Sequence, residues 1–395
     1  MVNLDALIHD RTYFSLDHIA ERKKQYNFTQ AVKVETFLWD LELYGHLQHY
    51  LGDNVVLKGG AAAQLFFSPE QQRTSVDIDV IYTGDTKTLL SALTSIHKAF
   101  GEDDTFFKFI QYIPKNPKTT LPLETYHVSV PSITEGKGVL HIKVDFHLME
   151  KNTLETIEME SASAFVIPLA FRPRCLSSGS LFGDKMLTLA QGSVGIPTER
   201  EDDIVKQLYD IDLLSKIVSS KDTAAIRNAM DILFKRELAV RNEQVEFEKA
   251  LQQMFTLLEK YSQLDSPKGD RVAHDAVNHF RSNYEPRPFR SWIEWGMIAK
   301  RLQFFVRALE THAEQSVSIL GEAEKIGHML SMEGNDRKGE FRKALALEFT
   351  ELLRADGQVD IAKRLKNTSP ERIFWEIVKP TNLEEIKQAI LHKLA

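Results

Sequence analysis

Apolar positions near the start of the chain recur at spacings of three and four: Val32, Val34, Phe37, Leu38, Leu41, Leu43 and Leu47. That period belongs to a helix with one apolar face and predicts helix over residues 15–50. A short run, Asn54–Leu57, then ends in Lys58-Gly59-Gly60, and Ala61–Phe67 reads as helix again. At Ser75–Tyr82 the period becomes two. Val76, Ile78 and Val80 fall on one face and Ser75, Asp77 and Asp79 on the other, as in a half-buried strand. Leu89, Leu90, Leu93 and Ile96 predict a helix over Thr86–Phe100. Strands follow at Phe106–Ile113, Thr125–Val130 and Val139–Leu148, with Pro114, Pro117, Pro122 and Pro131 marking the turns between them.

From about Ser180 helical spacing takes over. Segments 180–192, 200–219, 223–262, 270–282, 290–313, 338–355 and 370–395 carry it, and little there resembles strand. The pattern therefore predicts an α+β protein: a mixed β-sheet flanked by helices, then an all-helical C-terminal domain. We place the division at residues 1–219 and 220–395, although helix 200–217 could join either part. A chain of 395 residues is long for a single core, which agrees with two or three domains.

Composition narrows the classes. With 43% hydrophobic and 27% charged residues the chain reads as an ordinary soluble globular protein. No apolar run approaches the length of a membrane span, and MVNLDALIHDRTYF lacks the flanks of a secretory signal, so the expected compartment is the cytoplasm. The lone Cys175 leaves no internal disulfide or cysteine-rich metal site and reads as inert packing. A net charge of −7 means that a polyanionic partner would need a local basic patch.

The segment Arg73–Asp79 carries candidate chemistry. Asp77 and Asp79, at i and i+2 on a strand, project to one face and repel each other unless a cation lies between them. Magnesium suits such a pair, because it takes oxygen ligands from one or two carboxylates together with substrate phosphates. In Val139–Leu148, Leu140, Ile142, Val144, Phe146 and Leu148 point one way; His141, Lys143, Asp145 and His147 point the other. If the two strands are neighbours, Asp145 faces Asp77 and Asp79. Such a trio could align an attacking hydroxyl with a nucleoside triphosphate. Each feature also has a plain alternative. Asp-x-Asp occurs on solvated strand edges, Lys58-Gly59-Gly60 could be only a turn, and His141 and His147 read as solvent-facing.

The order of these features resembles a known family. Leu57-Lys58-Gly59-Gly60-Ala61-Ala62-Ala63-Gln64-Leu65 followed by Arg73-Thr74-Ser75-Val76-Asp77-Ile78-Asp79-Val80 is similar to the KGGTAL…RxSxDIDL signature of the AbiEii/AbiGii nucleotidyltransferases. These are toxins of bacterial type IV toxin–antitoxin systems, within the DNA polymerase β-like nucleotidyltransferase superfamily. Ile142–Phe146 resembles the third-carboxylate strand, Gly183–Ala190 the lysine-bearing helix, and Lys206–Leu213 the closing helix, so the likeness spans roughly residues 54–215.

The resemblance implies Asp77, Asp79 and Asp145 as ligands of magnesium, or of manganese. It implies Lys58, Gly59, Gly60, Arg73, Ser75 and Lys185 around the NTP, with Asp210 orienting Lys185 or touching the nucleotide. Lys185 and Asp210 could equally be an ordinary ion pair, and Asp203, two turns before Asp210, is a further candidate. The chain departs from the pattern at Ala61, where threonine is common, and at Thr74-Ser75, where the superfamily has Gly-Ser; neither removes a carboxylate.

The implied function is transfer of a nucleotide from an NTP to a hydroxyl of tRNA or another RNA, by a toxin silenced by an antitoxin protein. The alternatives are a small-molecule transferase of the antibiotic-inactivating kind and a catalytically silent scaffold. Residues 281–307 are consistent with an RNA acceptor: Arg281, Arg287, Arg290, Lys300, Arg301 and Arg307 interleave with Tyr284, Phe289, Trp292, Trp295, Phe304 and Phe305, against only Glu285 and Glu294. The same residues also fit a core helix with a solvated basic face.

Overall fold

The structure is a computed structural model that describes residues 2–113, 122–136, 138–151, 153–266, 269–336, 347–349, 351, 354 and 368–394. Its centre is a seven-stranded mixed sheet. In chain order the strands are β1 (Val55–Lys58), β2 (Asp77–Tyr82), β3 (Lys108–Gln111), β4 (Leu123–Pro131), β5 (Val139–Leu148), β6 (Thr156–Glu158) and β9 (Arg174–Leu176). The two-residue strands β7 (Ser163–Ala164) and β8 (Ile167–Pro168) form a separate pair. The sheet order is β3-β4-β5-β2-β1-β9-β6, which brings β2 and β5 together although two strands intervene in sequence. β2 runs parallel to β5 and antiparallel to β1.

The predicted helix over residues 15–50 is two helices, α1 (Leu16–Gln25) and α2 (Ala31–Leu51). Asn27 lies between them with φ +56°, a left-handed conformation that stops one helix before the next begins. Apolar residues cover most of α2, and Val34, Phe37, Leu38, Leu41 and Leu47 are all buried. Each fully buried side chain of this kind contributes about 1.5–3 kcal/mol. Two short helices flank β2 in sequence: α3 (Gly59–Gln64) and α4 (Thr86–Ala99), the latter capped by Asp85 accepting from the Thr88 amide at 2.8 Å.

After β9 the chain is helical: α5 (Ser178–Leu187) and α6 (Glu201–Ser215) are followed by α7 (Thr223–Arg241), α8 (Phe247–Ser262), α9 (Arg271–Asn283), α10 (Trp292–Thr311) and α11 (Ser316–Asp336). It ends with α12 (Pro370–Ile377) and α13 (Leu383–Leu394). No strand occurs after Leu176 among the described residues, as the pattern predicts. The predicted helix at 223–262 is divided at Asn242, again left-handed with φ +53°. Most of the predicted segment 338–355 lies outside the described residues. Cys175 is fully buried in β9, and burial pushes its thiol up to about 12, which fits a packing role.

The basic stretch 281–307 turns inward. Trp295, Phe304 and Phe305 are buried. Arg290 pairs with Glu285 at 2.9 Å and stacks on the Tyr209 ring, Lys300 pairs with Glu259 at 2.9 Å and Glu376 at 3.0 Å, and Arg301 contacts Asp212 and Glu324. Half of its cations thus balance carboxylates contributed mostly by other parts of the chain. The local excess of charge read from the sequence is an internal ion network there, not an open basic face.

Candidate active site

The strand register assembles the site. Across β2 and β5, Asp77 lies opposite Lys143 and Asp79 opposite Asp145; across β1 and β2, Lys58 lies opposite Asp79; across β4 and β5, Thr125 lies opposite Asp145. Alternation puts these side chains on one face of the sheet, while Ile78, Val80, Ile142, Val144 and Phe146 are buried on the other. Lys58, Asp79, Asp145 and Thr125 therefore form one row across four strands, and Asp77 and Lys143 begin the next.

The chain between β1 and α3 closes tightly on this row. Gly59 has φ +69°, and a Cβ there would stand 2.4 Å from Asp79 Oδ2. Only glycine fits so close an approach in that backbone conformation. Gly60 packs against Arg73 Nη2 and Ser75 Oγ. Ser75 is 1% exposed and its Oγ has no hydrogen-bond partner, an unused polar atom beside the carboxylates.

Burial above all pushes the carboxyls of Asp77 and Asp79 above the ordinary range, helped at Asp77 by the charge of Asp79 and at Asp79 by those of Asp145 and Asp184. Lys206, Lys143 and Arg73 oppose this at Asp77, and Lys58 and Lys143 at Asp79. Burial disfavours the charge of Lys58, but Asp184 at 3.1 Å and Asp79 more than restore it. His147, which reads from the sequence as solvent-facing, is only partly exposed, with Nε2 3.8 Å from Asp79 Oδ1. Burial and the charges of Lys58 and Arg236 hold its imidazole down to about 3, so it is neutral at physiological pH. His141 is exposed, as expected.

Arg73, Lys185 and Asp210 form a second cluster. Arg73 donates to both Asp210 oxygens, at 2.9 and 2.6 Å, and Lys185 Nζ lies 2.8 Å from Oδ2. Gln64 joins them: its amide donates to Asp210 at 3.0 Å and its carbonyl accepts from the Arg73 amide at 2.8 Å. Burial raises the Asp210 carboxyl, but Arg73 and Lys185 outweigh it and the net shift is downward. Lys185 is 2% exposed and also donates to Gln207 at 2.9 Å, so it stands inside the wall of the site. Asp203 makes an ordinary pair with Arg200 at 2.7 Å and another with Lys206 at 2.8 Å. Sequence reasoning missed Gln64, Lys143, Thr125 and Asp184. Of these, Lys143 and Thr125 had a signal, their places on strands beside an acidic one.

The model of the nucleotidyl transferase AbiEii toxin of type IV toxin–antitoxin systems matches residues 43–288, more than half of the chain and all of the side chains just described. The chain belongs to the AbiEii family. It is accordingly a nucleotidyltransferase, with an NTP as substrate, and the family implies an antitoxin partner. No curated protein matches it in sequence. Solved structures similar to this AbiEii chain include the nucleotidyltransferase toxin MenT4 of Mycobacterium tuberculosis H37Rv, at 12% identity over 76% of this chain and 92% of that one, with a TM-score of 0.39. An antigenic nucleotidyltransferase-like protein of Paracoccidioides brasiliensis matches at 13% over 54% and 94%, TM-score 0.32. JHP933 of Helicobacter pylori matches at 14% over 62% and 96%, TM-score 0.30.

A divalent cation fits the Asp77–Asp79 pair: both donors are oxygen, both lie on one strand face, and their raised proton affinity marks negative charge that a cation would relieve. No group of three or more His, Cys, Asp or Glu side chains able to hold a metal ion occurs among the described residues. Asp145 is engaged elsewhere, accepting from Thr125 Oγ1 at 2.6 Å and from Lys143 Nζ.

Proposed function

We propose that this AbiEii protein moves a nucleoside monophosphate from an NTP to a hydroxyl group of RNA, with tRNA as the leading acceptor. Asp77, Asp79 and Asp145 would hold magnesium or manganese. The observation that carries the reading is the register that sets Asp79 opposite Asp145 with Asp77 on the same face. A divalent ion bound there would offset the charge developing on the transferring phosphoryl group. The chain's own residues do the rest. Gly59 and Gly60 let the backbone close on Asp79 and Ser75, and the unpartnered Ser75 hydroxyl can donate to a phosphate oxygen. Lys58, at the end of the carboxylate row, offsets phosphate charge. Arg73, Lys185 and Asp210, locked together, fix the turn that carries Ser75 and act as positioning residues.

Support for an RNA acceptor comes from a cleft of about 210 Å³ beside His147 and Lys58. Arg200, Arg236 and Arg241 line it; Arg200 pairs with Asp203 and Arg241 with Glu237. Arg236 donates to the Pro122 carbonyl at 3.1 Å and makes no carboxylate ion pair among the described residues, so it is the cation there best placed for a phosphodiester backbone. The test is incubation with magnesium, each α-labelled NTP in turn and total RNA, before and after periodate oxidation of the RNA 3′ ends. Label should move with intact RNA and be lost with oxidised RNA and with Asp77→Ala. Label appearing only in a small molecule would transfer the assignment to a small-molecule acceptor. Label equal in Asp77→Ala would remove the carboxylates from the chemistry.

A further inference from the structure

Four cations bear on the carboxylate pair: Lys58, Arg73, Lys143 and Lys206. Three of them have a counter-charge of their own outside the proposed metal set. Lys58 pairs with Asp184, Arg73 with Asp210, and Lys206 with Asp203. Lys143 differs, because its partner is Asp145 itself.

The contact has an unusual form. Lys143 and Asp145 are two apart on β5, so their side chains leave the same face of one strand, and the lysine folds back along the strand to reach the carboxylate. Across the sheet it stands opposite Asp77. The two oxygens of Asp145 are held by different means. Oδ1 is fixed by the Thr125 hydroxyl at 2.6 Å, from the neighbouring strand. Oδ2 is held by an ammonium on a flexible stem whose side chain is 47% exposed, while Asp145 itself is 12% exposed. One oxygen is anchored by the sheet and the other by a group free to swing into solvent.

We infer that Lys143 is the internal counter-ion of this face: it occupies Asp145 when no divalent ion is bound and is displaced when one arrives. The inference rests on the reading of Asp77, Asp79 and Asp145 as the metal-holding set. Without such a group, three carboxylates on adjacent strand positions would repel one another whenever the site lacked a metal. The ammonium relieves that repulsion and also competes with the ion. Metal affinity before nucleotide binding is therefore set low, and substrate phosphates, which add oxygen ligands, tip the exchange. Lys143 is thus a positioning residue whose effect appears first in metal binding.

The test is manganese titration of the nucleotide-free protein, followed by loss of the free-ion electron paramagnetic resonance signal, in wild type, Lys143→Met, Lys143→Arg and Lys206→Met. Removing a half-exposed charge in direct contact should tighten manganese binding by about tenfold in Lys143→Met. Lys143→Arg should return it to near the wild-type value, because a guanidinium can again engage Asp145. Lys206→Met should shift it by less than about threefold, since that charge is already matched by Asp203. Equal affinity in wild type and Lys143→Met, or an equal shift in Lys206→Met, would overturn the inference while leaving the metal reading intact. No manganese binding by wild type or Lys143→Met, with or without NTP, would overturn both.

Discussion

Asp40, in the middle of α2, is 1% exposed, and neither of its carboxyl oxygens has a hydrogen-bond partner. Burial pushes its pKa far up, Asp77 and Asp79 push in the same direction, and Lys33 opposes them. The folded protein therefore keeps a proton that the unfolded chain releases near pH 4. Asp40 supports the fold most below that pH, and its contribution falls as pH rises toward the folded pKa, by up to about 1.4 kcal/mol per pH unit. Urea unfolding of Asp40→Asn and wild type at pH 5, 7 and 8 should show the variant gaining on the wild type as pH rises. Parallel stabilities across that range would contradict this placement of Asp40. The site was more legible in the sequence than this residue was. Asp77, Asp79 and Asp145 announce themselves because strand alternation puts each on a polar face and fixes which way it points. Asp40 does not, since an aspartate within a largely apolar helix carries no local mark of the distant-in-sequence carboxylates whose charge it feels. Gln64 and Asp184 were hidden for a related reason, as their partners Asp210 and Lys58 lie more than a hundred residues away in the chain.

Among the elements, β5 follows its predicted bounds, because ten alternating residues outlast any ambiguity of period. The strands β6 to β9 are two or three residues long and leave no period to read. Two left-handed asparagines, Asn27 and Asn242, divide helices that apolar spacing alone would join. The basic stretch left two readings open in the sequence for another reason. Its neutralising carboxylates Asp212, Glu259, Glu324 and Glu376 come mainly from α6, α8, α11 and α12, and a local count of charge cannot include them. One helix contact carries a direct test. A Cβ on Gly183, in α5, would stand 2.6 Å from the Ile226 carbonyl oxygen and 3.1 Å from Ala229 Cβ in α7. Gly183→Ala must push two helices apart against backbone, and overpacking of this kind costs about 1–3 kcal/mol. Thermal unfolding should show a clear loss; an unchanged midpoint would mean that α5 and α7 do not pack so closely in solution.

At the level of the whole molecule, we propose that residues 1–219 form the catalytic part and 220–395 a helical part that buttresses it. The two share a core: Phe182 of α5 stacks edge-on with Phe305 of α10, and Arg236 of α7 lines the cleft beside Lys58. The backbone of Thr74, one residue before Ser75, donates to the Tyr284 carbonyl at 3.3 Å, so the turn that carries the site is braced from the helical side. Among the described residues no helix is long and apolar enough to cross a membrane. We propose that the carboxylates of β2 and β5 direct nucleotidyl transfer. The most direct test is a paired reaction with α-labelled and γ-labelled NTP in the presence of magnesium and total RNA, repeated with Asp79→Ala. RNA should acquire the α label only, the γ label should leave as pyrophosphate, and both events should disappear in the variant. Transfer of the γ label to RNA, or α-label transfer undiminished in Asp79→Ala, would contradict this proposal.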